Sequence, residues 1–362
     1  MEENKFKGLK IEYHILQSFP VVCLNRDDVG SPKTAVVGGV KRARVSSQCW
    51  KRQVRLALHN EGIQLAVRTK HLEEMVADYF SDEEKNQYEE KLAVVVKALS
   101  DDTLVFFSEN EAKAIADFIR GMDGNAVEKS GDKKKAKLSK SAEKELNKTV
   151  GKVRKENKGL DGLDIALFGR MVAKATALNS EAAASFSHAI TTHKVSSEID
   201  YFTALDDLSE EDESGSSHIG ANEFNSGTYY RYVSLNLGML CDYLGDAEDV
   251  KTAVDAFTKA LFVAVPQARQ KTQAGYCPWD YAHVYVRKGQ EVQLSFETPV
   301  KATNSGYLEA SRKAMEENLQ RNEKLMGSLF GKIDEFVYGD SDEHGIDQLV
   351  EKLRADIDEI DR

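Results

Sequence analysis

A strand-like alternation that opens the chain and returns only far downstream constrains its fold more than any other feature. In LKIEYHILQ, residues 9–17, Ile11, Tyr13 and Ile15 alternate with Glu12, His14 and Leu16, the two-residue period of an extended segment. In TYYRYVSLNL, residues 228–237, Tyr229, Arg231, Val233 and Leu235 alternate with Tyr230, Tyr232 and Ser234, in a composition that suits a strand. Much of what lies between reads as helices and connectors, among them TKHLEEMVADYF, YEEKLAVVVKALS, SENEAKAIADFIRGM and the apolar DGLDIALFGRM. The order is strand, helix, large helical insertion, strand, helix, hairpin, helices. It fits a split α+β sheet of ferredoxin-like type interrupted by insertions.

The remaining segments complete that outline. SFPVVCLNRDDVGSPKTAVVGGVKRARV reads as a loop ending in a short extended stretch. Ser46 or Ser47 then caps a helix to about Asn60, with Gly62 just past its end. Trp50, Val54, Ala57 and Leu58 share one face of that helix; Gln48, Lys51, Arg52 and Arg55 share another. Residues 186–200 begin a second globular portion, and the acidic, Ser/Gly/Asn-rich stretch 206–227 reads as an exposed excursion. DVKTAVDAFTKALFVAVP is amphipathic through Val250, Val254, Phe257 and Leu261, and stops at Pro266. AHVYVRKGQEVQLSF reads as a hairpin across Lys288 and Gly289, followed by a charged helix near 303–329 and a last helix through Leu349, Leu353 and Ile357. From Glu128 to Lys158 there are eleven lysines and one arginine against five acids. With little apolar content, that segment is expected to be a solvated helix or mobile loop.

Composition narrows the class. A hydrophobic share of 41% with 30% charged residues suits a globular chain. No apolar run of about 18 residues suggests a membrane span, and the amino terminus leads into no secretory signal. Cys23, Cys49, Cys241 and Cys277 are scattered, which argues against zinc or a disulfide framework and leads us to expect a reducing cytoplasm. No cofactor or metal is called for.

Against a net charge of −11, GGVKRARVSSQCWKRQVR, residues 38–55, carries six cations and no carboxylate. Gly38 and Gly39 allow close backbone approach or positive φ, and the following helix start offers N–H groups to an anion. Lys51, Arg52 and Arg55 would continue one cationic ridge. That arrangement suits tracking a phosphate backbone rather than reading bases.

CLNRDDVGSPKTAVVGGVKRARVSSQCWKRQVR, GLDIALFGRM, HAITTHKVSSEIDYFTALDDL and GSSHIGANEFNSGTYYRYVSLNL occur in this order. Together they resemble the CasC-type crRNA-backbone subunit of type I-E CRISPR Cascade complexes, in the RAMP superfamily. The resemblance implies a modified ferredoxin-like, RNA-recognition-like palm at 1–58, 182–200 and 227–362, a helical fingers insertion at 59–181, and an extended thumb hairpin at 201–226. It further implies several copies stacked along one guide RNA as a helical filament, beside other Cascade subunits and target DNA. The family's RNA contacts fall on Arg26, Lys41, Arg42, Arg44, Gln48, Lys51 and Arg52. Met171, Phe202, Thr203 and Ile219 match residues packed around a displaced nucleotide, and Lys133, Lys134, Lys137 and Lys140 are candidates for target DNA. The acidic EEDE at 210–213 should point away from RNA, toward a basic patch on the next subunit.

Two other functions compete. Related backbone subunits cleave RNA with a loop aspartate, and Asp27 and Asp28 lie in such a loop; His14, His188 and His193 could assist as acid or base. The bland reading is a turn whose acids orient Arg26. The third class is a single-strand RNA binder that acts as a monomer. No aromatic RNP motif is readable, so base stacking on a sheet face is not expected.

Overall fold

The computed structural model describes residues 4–100, 103–123, 126–128, 136–156, 159–204 and 218–362. Its strands are β1 (Leu9–Val22), β2 (Thr34–Val37), β3 (Val40–Val45), β4 (Val67–Thr69), β5 (Val105–Phe107), β6 (Val127–Glu128), β7 (Lys137–Leu138), β8 (Ala184–Phe186), β9 (Ala189–Thr191), β10 (Glu198–Ala204), β11 (His218–Asn236), β12 (Tyr281–Lys288) and β13 (Lys332–Tyr338). Its helices are α1 (Ser47–Ala57), α2 (Leu72–Ala77), α3 (Asp82–Leu99), α4 (Glu109–Gly121), α5 (Lys140–Glu156), α6 (Leu163–Phe168), α7 (Leu237–Leu244), α8 (Ala247–Val263), α9 (Gln270–Gln273), α10 (Leu308–Met326) and α11 (Ile346–Asp361).

The two strand patterns read from sequence pair with each other. β1 and β11 run antiparallel from Lys10 opposite Asn236 to Phe19 opposite Gly227, and the main sheet has the order β13-β12-β1-β11-β9-β3-β2. Its central four, β12-β1-β11-β9, carry the chain as β1, α1, β9, β11, α8, β12. That is the β-α-β-β-α-β path of a ferredoxin-like unit. The helical insertion enters between α1 and β9, and the β10–β11 hairpin enters between β9 and the paired part of β11. Residues 184–191 therefore do not open a second globular portion: β8 and β9 join the first sheet.

The alternation in β1 does not separate inside from outside, because both faces are covered. Ile11, Tyr13 and Ile15 pack under α7, α8 and α11 with Val54 of α1 and Leu58 just beyond it. Glu12, His14 and Gln17 are also buried, and each has a polar partner: Arg287 at 3.1 Å, Tyr230 at 2.9 Å and Arg231 at 2.6 Å. Buried polar groups persist only when paired in this way.

The second face is closed by a strap and a helix. The expected hairpin across Lys288 and Gly289 has only its first arm. QEVQLSF, rich in polar residues, instead crosses the sheet, with N–H donors of Val292 to Glu12, Leu294 to the Tyr230 hydroxyl and Val300 to the Thr192 carbonyl. Leu294 and Phe296 of the strap, with Met315 and Leu319 of α10, bury Leu16, Tyr230, Tyr285 and Phe330. One edge of the sheet is β13, which the sequence reading missed because the adjacent acids and the apolar run of KIDEFVY give no two-residue period.

A second core joins Leu72, Val95, Phe107, Ile115 and Ile119 of the insertion to Leu146 and Val150 of α5. The part of the lysine-rich stretch that forms α5 is thus a packed helix rather than a fully solvated one. Ala142, Leu146 and Val150, each four residues apart, are enough to seat one face.

Candidate nucleic-acid interface

The cationic segment folds as a hairpin leading into a helix. Gly38 (φ +59) and Gly39 (φ +75) form the β2–β3 turn, where two consecutive positive φ angles require glycine. The expected loop of residues 18–45 therefore ends in a two-stranded ribbon. The close approach at Gly38 is made by the chain itself: a Cβ there would lie 1.7 Å from the Glu297 carbonyl.

Ser46 caps α1, accepting from the Cys49 N–H at 3.3 Å, and the first turn holds no acid. A 3₁₀ turn continues the helix to Glu61, and Gly62 (φ +70) ends it. Trp50, Val54 and Leu58 are buried as their spacing predicts. The Ser47 N–H donates to His188 Nδ1 at 3.1 Å. Two of the first three helical N–H groups are therefore already taken, and anion binding falls mainly to side chains.

Hydrogen bonds gather several loops around that helix start. Asn25 Oδ1 accepts from the Ser46 N–H at 3.0 Å and the Asn25 carbonyl from the Lys33 N–H at 2.8 Å. The Arg44 N–H reaches the Lys33 carbonyl at 2.8 Å, and the Val195 N–H reaches that of Lys41 at 3.0 Å. Arg26, Lys33, Arg44, Gln48 and Arg52 thus surround the start of α1, with Lys41 and Lys194 beside it. Among the described residues none of these six cations, nor Lys51, forms an ion pair with a carboxylate. In a chain of net charge −11, so many unmatched cations leave this rim locally positive. Lys33 and Lys194 escaped the sequence reading because each is a lone cation in its own stretch.

Two residues depart from that reading. Arg42 is fully buried, and its guanidinium donates to the carbonyls of Thr191 (2.7 Å), Phe296 (3.0 Å) and Glu297 (3.4 Å). It pins the strap to the hairpin and is not free for a phosphate. Its neighbours on β3 alternate, so Arg44 shares its face while Lys41 sits on the face of Ala43 and Val45. Arg55 leaves the ridge as well, donating to buried Asp164 at 2.8 Å and to the Ala66 carbonyl. Lys51 is half-buried, its ammonium 5.7 Å from the Phe186 ring centre, and burial lowers its pKa. Beneath α1, buried Arg231 stacks on Trp50 at 3.6 Å, and desolvation pushes its pKa down to about 9.

Of the nucleotide-packing candidates, Met171 and Thr203 are exposed. Met171 is 80% exposed. Its neighbour Arg170 is clamped by Glu111 at 2.7 Å and by the Leu178 and Phe106 carbonyls, and the Val172 N–H is held by Asn179 at 2.6 Å. β10 and β11 pair as the expected hairpin, with Phe202 opposite Gly220 and Thr203 opposite Ile219. The Phe202 ring fills the space a Cβ on Gly220 would need. Tyr201, 71% exposed, and Ile199 flank it. No hydrogen bond or ring contact among the described residues joins Met171 to this hairpin within one chain. Lys137 and Lys140 are exposed. Lys137 lines a cleft of about 300 Å³ with Lys97, Lys174 and Glu143. Lys133, Lys134 and the acidic tip 210–213 lie outside the described residues.

Asp27 and the three candidate histidines have structural partners, whereas Asp28 does not among the described residues. Asp27 accepts from the N–H groups of Val29 and Ser31 at 3.0 and 2.9 Å, which makes it the turn former of its loop. Asp28 is exposed, and among the described residues no ion pair joins either acid to Arg26. His14 is buried against Tyr230, and His193 stacks on Tyr307 at 3.6 Å while accepting from the Thr228 N–H. Burial lowers the pKa of both, as it does for His188, aided there by Arg44. Among the described residues no cluster of three or more metal-ligating side chains exists, and no helix is long and apolar enough to cross a membrane.

Fold and site together define a ferredoxin-like α+β protein with a helical insertion, a hairpin insertion and a cationic rim at its first helix. The chain belongs to the CT1975-like protein family, whose model matches residues 11–360. A comparison with curated protein sequences finds no match. Among solved structures, a chain of a CRISPR RNA-guided surveillance complex in a pre-nicking state is similar at a TM-score of 0.77 and 24% identity, over 96% of this chain and 100% of that one. A chain of another CRISPR RNA-guided surveillance complex is similar at 0.61 and 24%, over 96% and 98%. Family and fold bear out the resemblance read from the motifs.

Proposed function

We propose that this chain is a non-catalytic backbone subunit of a type I-E-like surveillance complex, holding guide RNA by its phosphates and presenting the bases to target DNA. Several copies would line the spacer as a filament among the complex's other subunits. The observation that carries this reading is the group of cations around the start of α1 that lack carboxylate partners: Arg26, Lys33, Arg44 and Arg52. An exposed Met171 and the exposed ring of Tyr201 suit an unstacked base, which gains roughly 1–3 kcal/mol from such a surface. Asp27, engaged in its own turn, is poorly placed to serve as a nuclease residue.

The test is the salt dependence of binding to guide RNA. Arg44→Ala with Arg52→Ala should reduce the slope of log K against log salt by about 1.4, or about 0.7 for each lost single-strand phosphate contact. Unrelated spacer sequences should weaken alike. A loss confined to particular sequences, with the slope unchanged, would refute phosphate gripping.

A further inference from the structure

One titratable side chain at the cationic rim is held neutral by its surroundings. His188, between β8 and β9, is exposed. Its Nδ1 accepts from the Ser47 N–H at 3.1 Å, and the Arg44 guanidinium lies 3.5 Å from the same atom. With two donors aimed at Nδ1, the neutral ring keeps its proton on Nε2. The charges around it are positive. β3 brings Arg44, the charged group that bears on the ring's affinity for a proton. α1 brings Lys51, whose ammonium stands over Phe186 two residues before the histidine. The 25–33 loop adds Lys33, whose carbonyl holds the Arg44 N–H, while its Asp27 accepts within its own turn. β8 and β9, ASF and AIT, bring no charged side chain. Among the described residues no carboxylate forms an ion pair with His188, Arg44 or Lys51.

An anion reverses that balance. In the free protein the Nδ1 lone pair serves donors that an anionic oxygen would serve better, because hydrogen bonds to an ionised acceptor are shorter and stronger. Burial and the Arg44 charge together hold the ring's pKa below the usual histidine value. A phosphate beside Arg44 offsets that charge and attracts a second cation to the same place. Once Arg44 and the Ser47 N–H turn to a phosphate oxygen, Nδ1 is released and can bind a proton from solvent.

Resting on the phosphate-gripping reading above, we infer that His188 is a further phosphate ligand of this rim, and that binding RNA brings one solvent proton onto its Nδ1. The free protein keeps the ring neutral; the bound backbone keeps it charged. By linkage, the grip tightens as the medium acidifies through the interval between the ring's free and bound proton affinities, and is constant above it.

The experiment uses an oligouridine RNA without terminal phosphates, which has no group titrating near neutrality, so that any proton taken up belongs to the protein. Titration calorimetry in two buffers of different ionisation enthalpy measures that uptake. At fixed ionic strength the wild type's affinity should rise about two- to fivefold from about pH 7.5 to about pH 6, with net proton uptake. His188→Asn keeps an acceptor for the Ser47 N–H but has no titrating ring, so it should lose both the rise and the uptake. A histidine that only braces the start of α1 would instead weaken binding by the same factor at every pH. That result, or equal proton uptake by variant and wild type, overturns the assignment and leaves phosphate gripping intact where the salt slope persists. A wild type whose RNA binding shows no salt dependence overturns both.

Discussion

Replacing Arg42 with alanine separates two roles that sequence alone assigns to one residue. As a phosphate ligand, Arg42 would add to the salt slope of RNA binding and little to folding. The structure gives it the opposite balance: a buried guanidinium satisfies the Thr191 and Phe296 carbonyls at 2.7 and 3.0 Å and lies 3.4 Å from that of Glu297. Hydrogen bonds to a charged group contribute about 1.5–3 kcal/mol each, and truncation leaves the buried carbonyls unpaired. Two good bonds and one long one therefore put the loss at about 3–5 kcal/mol. With a urea slope near the upper end of the usual range, about 3 kcal/mol/M, the unfolding midpoint of Arg42→Ala should fall by about 1 M or more. Measured at a urea-free condition where the variant is folded, its RNA salt slope should equal the wild type's. An unchanged midpoint together with a slope reduced by about 0.7 would show that Arg42 reaches a phosphate, and the strap-pinning argument would fail.

The hairpin turn offers a paired comparison. Gly39→Ala meets nothing within 4 Å and should cost only the backbone strain at φ +75, about 1–2 kcal/mol. Gly38→Ala adds a collision with the Glu297 carbonyl, so its thermal midpoint should fall clearly further; equal shifts would contradict the packing of strap on hairpin. Stability should also decline with acid. His14, His188, His193 and His283 are each held below the usual histidine value, burial being the largest cause. The unfolded chain therefore takes up protons first. The contribution is complete above about pH 6.5 and is lost as pH falls through the lower folded values. Urea midpoints that stay flat from pH 7.5 to 5 would count against this.

How much was legible depended on whether a signal was local. The Ser46 cap, the Gly62 stop and the buried face of α1 follow from neighbours within one or two turns, and all were readable. The strand alternation in β1 was readable as a period but not as an orientation, because helices cover one face and the strap covers the other. Nothing in LKIEYHILQ announces that Glu12 will meet Arg287. The same ambiguity misassigned Arg42: a strand residue points to one of two faces, and only the arrival of residues 296 and 297 decides that this face is interior. QEVQLSF looked like a returning strand because a strap that alternates contacts with a sheet has much the same pattern. Lys33 joins the cationic rim through its backbone hydrogen bond to Asn25, and Lys194 through that of its neighbour Val195 to Lys41, a link between segments far apart in the chain.

The strap and α10 also change what a guest polymer can encounter. In open modules of this topology the sheet is a table on which nucleobases lie flat; here the table has been built over with Leu294, Phe296, Met315 and Leu319. A strand held as proposed above would meet only the edge of the board, with arginines and lysines along its spine. Its letters would then face outward, and the grip would be blind to the message it carries.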